Sequence, residues 1–241
     1  MPNKHRPRRT SPLNLPGAFE LFTPSKDLIL RHINIFAPLY FLPFIFWFHS
    51  WASTPATGSH YFARISDANY SFSSFPAAYF ATFIGFSIIW LLVTVVGGTI
   101  IQIMTQDAQL RAVEDKSIAF NKLWATTKEL VWRMLGLYIV LGLVIGIGFA
   151  LLIIPGLFMV RRYILAPYVM LDKKCSIGEA MTESARLSLV NTGSIWGLMG
   201  VVFLIGLIGI VPIIGSLASF VLGVLYSVAP ALRYQQLKNL A

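Results

Sequence analysis

The sequence predicts an all-α fold: a polytopic integral membrane helical bundle of about six transmembrane helices, arranged as three repeats of an interfacial helix plus a hairpin. Three observations carry this. Of 241 residues, 56% are hydrophobic and only 12% charged, against about 25% charged in soluble domains. Six apolar stretches approach the roughly 17–25 residues that cross a hydrocarbon core. The cations lie almost entirely on one side of those stretches.

Residues 1–18 read as a basic, disordered cytoplasmic tail. Lys4, Arg6, Arg8 and Arg9 stand among prolines, with no apolar run directly after them to make a signal peptide. Residues 19–241 read as one transmembrane domain. Thr23-Pro24-Ser25 opens a first interfacial helix, because proline suits the first helical turn. A span follows at 33–51. The 52–76 loop mixes Trp51, Tyr61, Phe62, Tyr70, Phe72 and Phe75 with small polar residues, the composition of an interfacial aromatic belt. The second span, 77–105, is long enough to tilt or to project beyond the bilayer.

Ser117 opens the second interfacial helix. Phe120, Leu123, Trp124, Thr127 and Val131 recur at helical spacing, with Lys122, Lys128, Glu129 and Arg133 largely on the other face. Trp124, Lys128 and Trp132 are its expected interfacial anchors. The third and fourth spans, 134–154 and 155–171, are joined at Pro155-Gly156, a tight-turn sequence. In the third repeat Ser176-Ile177-Gly178-Glu179 forms a capping box, in which Ser176 and Glu179 satisfy free amides reciprocally. Spans at 195–211 and 213–232 follow, joined by a turn from Pro212 to Gly215. Ser117-Ile118 and Ser176-Ile177, Trp132 and Trp196, and Ala166-Pro167 and Ala229-Pro230 are the matched positions of the repeat.

Of the 19 lysines and arginines, all but Arg64, Arg161 and Arg162 fall on one side of a six-span arrangement. Both termini are therefore expected in the cytoplasm. The net charge of +9 is explained by retention and by anionic headgroups, so no nucleic-acid partner is expected. The lone Cys175 excludes an internal disulfide. Lys173 and Lys174 beside it are placed to lower its pKa, although an idle reduced thiol is the simpler reading. Gly142-x-x-x-Gly146, Gly193-x-x-x-Gly197 and Gly215-x-x-x-Ser219-x-x-x-Gly223 form small-residue faces. These suit packing within the chain first and homo-oligomerisation second.

The stretch Ile153-Ile154-Pro155-Gly156-Leu157, Arg161-Arg162-Tyr163, Ala166-Pro167, Ile177-Gly178-Glu179-Ala180, Ser184 and Leu187 resembles a pattern in bacterial multi-span membrane proteins. These include the membrane domain fused to some glycerophosphodiester phosphodiesterases. Phe19-Glu20-Leu21-Phe22 is similar to their start. The resemblance covers roughly residues 19–235 and is distinctive over 153–190. It implies a helical protein of the bacterial cytoplasmic membrane, without the catalytic domain and its metal-binding carboxylates and histidines.

None of the ten acids falls deep inside an expected span, which counts against a proton antiporter. His5, His32, His49 and His60 show no metal-ligand spacing, and the glycine clusters lack the lysine of a phosphate loop. Neither a metal nor a cofactor is expected. What stands out is Arg161-Arg162 inside an apolar run. An arginine at mid-depth costs ~2.5–3.5 kcal/mol on insertion scales, so such a pair marks a headgroup contact, a pore, or a helix end from which both snorkel outward. The expectation is a non-enzymatic protein that associates with phospholipid, or acts as an accessory or scaffold in the membrane, its arginines on anionic headgroups. The alternative is a small-anion transporter or channel using the same two residues.

Overall fold

A computed structural model describes residues 15–43, 77–211 and 214–240, with the backbone alone for 77–87 and for 89. The expected tail, the end of the first span, the 52–76 loop and Pro212 lie outside the described residues. Among those described there are helices and no strand.

A short 3-10 turn, Phe19–Leu21, leads into α1 (Phe22–Arg31). Pro24 sits in its first turn and Arg31 closes the last, where the helix dipole favours a cation. The Ser25 hydroxyl donates to the Leu225 carbonyl at 2.7 Å, tying the start of the chain to its far end. His32 leaves helical geometry (φ −116°, ψ 31°), and α2 (Ile33–Pro43) continues in a new direction, burying Phe36 and Leu39.

Helix α3 (Ala77–Val113) has two characters. Ile88, Trp90, Leu91, Leu92, Val93 and Val95 expose apolar side chains, whereas from Thr99 the helix turns inward and buries Ile103, Met104, Gln106, Asp107 and Gln109. It stops at Asp115, whose φ of 50° no helix continues.

Helix α4 (Phe120–Leu151) merges the second interfacial helix and the third expected span. This corrects the expected division at residue 134: no proline or capping residue interrupts 132–136, so the helix propagates through. Leu123, Thr127, Leu130, Met134 and Leu137 form its buried stripe. The reversal after it is corrected too. It falls at Leu152, the one extended residue between α4 and α5 (Ile153–Tyr163), so that Pro155 and Gly156 lie within the first turns of α5. Proline loses nothing there, because the first amides of a helix have no intrahelical partner.

The fourth span breaks at 164–165 and resumes as α6 (Ala166–Lys173), with Pro167 in its first turn. The sixth breaks likewise between α9 (Ile214–Tyr226) and α10 (Ala229–Lys238), again at an Ala-Pro pair. The Ala-Pro repeat thus marks the start of a separate, buried helix rather than the end of a span. Between them lie α7 (Ile177–Val190) and α8 (Thr192–Ile208), which meet at a 100° bend.

By length and composition Trp90–Val113, Phe120–Leu151, Ile153–Lys173 and Ile214–Lys238 suffice to cross a membrane, and the pair α7–α8 adds a fifth only if its two bent halves count as one span. The protein is a helical membrane bundle with its packing concentrated at one end. There 99–113 of α3, the first two-thirds of α4, and α6, α7 and α10 enclose Leu130, Met134, Leu165, Val169 and Tyr234. From that end two hairpins, α4–α5 and α8–α9, project with apolar, exposed tips.

Candidate functional site

Arg161 and Arg162 occupy the last turn of α5. A cation at a helix C-terminus faces the negative end of the dipole, which favours both. Their surroundings differ, since successive side chains point about 100° apart on a helix. Arg161 is half-buried, its guanidinium 5.5 Å from the centre of the Phe158 ring. Phe158 in turn meets Trp196 of α8 edge-on at 5.5 Å. The buried Arg161 Nε has no acceptor among the described residues. Arg162 is exposed, 5.8 Å from the Tyr163 ring. Neither arginine pairs with a carboxylate among the described residues.

Helix α7 fixes the level of this pair. Its Ser184 hydroxyl donates to the Arg162 carbonyl at 2.9 Å. The same helix carries Glu179, Glu183 and Arg186 on its outer side, with Arg186 bidentate on Glu183 at 2.9 and 2.8 Å and Lys173 on Glu183 at 2.8 Å. Those hydrogen bonds, Arg186 first, hold the Glu183 carboxyl down at about 2. The capping box forms as expected: Ser176 Oγ accepts from the Glu179 amide at 3.3 Å, and Glu179 Oε2 accepts from the Ser176 amide at 2.9 Å. The arginines therefore sit beside a charged, amphipathic helix.

The other expected residues disperse. Lys128 Nζ lies 5.4 Å over the Trp124 ring, so these two meet, one turn apart on α4. Trp132 is 74% exposed on the same side of the helix. Trp124 does not join the buried stripe, which runs instead through Leu123, Thr127 and Leu130. Gly156 is buried because the Phe149 ring occupies the place of its Cβ, 2.5 Å away, and Gly215 because the Ile208 carbonyl occupies the place of its own. Both are close-approach glycines inside helices rather than turn residues. A Cβ at Gly142, Gly146 or Gly223 would meet nothing within 4 Å, so these glycines make no close contact among the described residues. The Cys175 thiol is pushed up by partial burial, against the lowering that its lysine neighbours suggest.

The sequence reading missed a polar layer within the packed end. The Tyr168 hydroxyl donates to Gln109 Oε1 at 2.7 Å, Gln109 Nε2 donates to the Tyr40 oxygen at 2.8 Å, and Tyr40 shares a hydrogen bond with Ser227. Beside it Tyr138 donates to Gln106 at 2.7 Å, and Tyr234 to Asp172 at 2.7 Å. These bonds join α2, α3, α4, α6 and α10. Every Tyr, Gln and Ser side chain in the layer has a partner, so the layer fixes helix register rather than offering a reactive group. Arg233, counted among the surface cations, is fully buried: it donates to the Pro16 carbonyl and to Gln236 Oε1, both at 3.0 Å. No sequence signal separated it from Lys238.

No three His, Cys, Asp or Glu side chains converge among the described residues. A shallow depression bounded by Arg133, Lys174, Ser176 and Glu179, and an apolar groove between α2 and α9, both leave out Arg161 and Arg162. Compared with known proteins, the chain matches no family model, no curated protein and no solved structure. The resemblance over 153–190 accordingly rests on its motifs alone.

Proposed function

We propose that this chain is a non-enzymatic membrane protein that associates with anionic phospholipid, with both termini on the cytoplasmic side and Arg161 and Arg162 holding a headgroup phosphate. One observation carries the reading. A half-buried arginine with an unpartnered Nε stands next to an exposed arginine, and among the described residues neither has a carboxylate to neutralise it. A guanidinium offers phosphate two parallel donors, and a phosphate at this place would satisfy the orphaned Nε as well. Lys173 and Arg186 lie on the same outer side, but both are committed to Glu183 and so compete less for the lipid.

Native mass spectrometry of the detergent-purified protein tests this, comparing wild type with the Arg161→Ala/Arg162→Ala double variant. Retained anionic phospholipid in wild type, lost in the variant, is the expected result. Equal lipid occupancy in both would remove the headgroup role, and anion flux into liposomes would then be the measurement for a transporter.

A further inference from the structure

The two hairpins expose short apolar arms beyond the packed end, and their tips are apolar too. A hydrocarbon core of ~30 Å needs about 20 helical residues. Helix α5 has 11 residues, or ~16 Å, before the chain breaks beside α7. Helix α9 has 13, or ~20 Å. The longer partner α4 runs on through the packed end, where residues 123–137 carry most of its buried stripe. Burial along α8 ends at Val201, and the exposed arm 202–211 is ~15 Å long. Helix α6, which lengthens the fourth stretch to 21 residues, is buried from Ala166 to Leu171.

The tips are not built for water. Leu151, Leu152, Ile153 and Ile154 are each about 70% exposed, as are Ile210 and Ile214 at the second tip. From Leu143 to Val160, and from Val201 to Val221, the sequence contains no charged residue, and Ser216 and Ser219 are its only hydroxyls. An aqueous turn would carry polar or charged side chains.

Helix α3 supplies a ruler. The Tyr138–Gln106 hydrogen bond sets α3 and α4 at a common level. From there the tip at Leu151 lies ~20 Å along α4, whereas the start of α3 at Ala77 lies ~44 Å along α3. The arm of α3 therefore outreaches the hairpin by more than 20 Å. If the start of α3 marks the far surface, the α4–α5 tip ends within the bilayer.

We infer that α4–α5 and α8–α9 are re-entrant wedges whose tips lie among the acyl chains near the bilayer centre, entering only the leaflet on the side of the packed end. The occupant of their exposed apolar surfaces is lipid, since the arms match one leaflet, ~15 Å, rather than two. Depth also explains the arginines. Arg161 is ~12 Å along α5 from Ile153, so a tip at the centre places it at the headgroups of that leaflet. On this point the inference rests on the headgroup reading and deepens it. The one-sided charges fit equally, since a hairpin that crosses twice and one that does not cross return the chain to the same side. Two wedges in one leaflet expand it relative to the other.

The test uses full-length protein with Cys175→Ser and a single Leu152→Cys or Ile210→Cys, reconstituted in phosphatidylcholine–phosphatidylglycerol vesicles. Each cysteine carries a fluorophore, quenched in turn by lipids bearing a nitroxide at the headgroup, mid-chain or chain terminus. The expected result is strongest quenching by the chain-terminal nitroxide at both positions, with neither thiol reached by a membrane-impermeant maleimide from either side. Strongest quenching at the headgroup would overturn the inference. So would far-side labelling at the rate of a Ser59→Cys control in the 52–76 loop. Lipid retention is read separately, so tips that cross while lipid binding still depends on the arginines would defeat the wedges and leave the headgroup site standing.

Discussion

Gly156 and Gly146 let one substitution be made twice, in opposite surroundings. Both lie in helices flanking the α4–α5 reversal, and neither has a positive φ. Replacing glycine by alanine in a helix interior gains up to ~1 kcal/mol of propensity. At Gly146 that gain is all there is, because a Cβ meets nothing within 4 Å. At Gly156 the new methyl lies 2.5 Å from Phe149 Cγ and 2.6 and 2.8 Å from its δ carbons. The ring root is attached to α4 and cannot swing clear without moving the helix, and Gly148 lies against Gly156 with backbone approaches of 3.0 and 3.2 Å for a Cβ. Overpacking costs ~1–3 kcal/mol, so Gly156→Ala is expected to be destabilising by ~1–2 kcal/mol net and Gly146→Ala neutral to stabilising. Equilibrium unfolding in mixed micelles, with added denaturing detergent and helicity as the signal, measures both on one scale. A shift of the two variants in the same direction would refute the close approach of α4 and α5 at these residues.

Two further outcomes are expected. Tyr168→Phe leaves the buried Gln109 carbonyl without its 2.7 Å donor, a cost of ~1–3 kcal/mol in the same unfolding assay; an unchanged midpoint would show that the polar layer does not hold the helices. Glu183, on the amphipathic α7, has its carboxyl held at about 2 against an ordinary 4.5, so its pairing stabilises the fold above pH 4.5 and is lost as pH falls toward 2. Because its partners Lys173 and Arg186 are about half-exposed and screened by solvent the effect is less than ~1 kcal/mol, and Glu183→Gln is expected to flatten the stability profile across that window, while an unchanged slope would sink the pairing.

The sequence was most legible where local chemistry decides local structure. Ser176 and Glu179 announced the start of α7 because a capping box is complete within four residues. The apolar runs announced helices because a bilayer allows little else. Legibility failed where partners are distant in the chain. Tyr40, Gln109, Tyr168 and Ser227 are ordinary polar residues until α2, α3, α6 and the end of α9 bring them together. Arg233 reads as one more retention cation until Pro16 caps it. Pro155-Gly156 misled for a related reason: the pair reads as a turn, yet proline is equally at home in the first turn of a helix, and the glycine answers to Phe149 across the hairpin.

Hydropathy also reports that a segment is apolar without reporting how far it penetrates. The α4–α5 and α8–α9 sequences satisfy a composition test for spans because their protein-enclosed and lipid-exposed portions are equally free of charge. The structure separates the two portions through burial: α6 and 192–201 are enclosed by neighbouring helices, whereas 202–211 and the residues around Leu152 are not. Only the second kind of surface requires lipid. Measured by that surface, the arms shrink to about half a bilayer, and the arginines that look misplaced in a full span come to lie at its edge. On the proposed wedge reading, the cost that made Arg161 and Arg162 conspicuous would fall away, since an arginine at the interface is hydrated and can face phosphate. The placement of two cations and the length of two hairpins thus become one question, answered by how deep Leu152 lies.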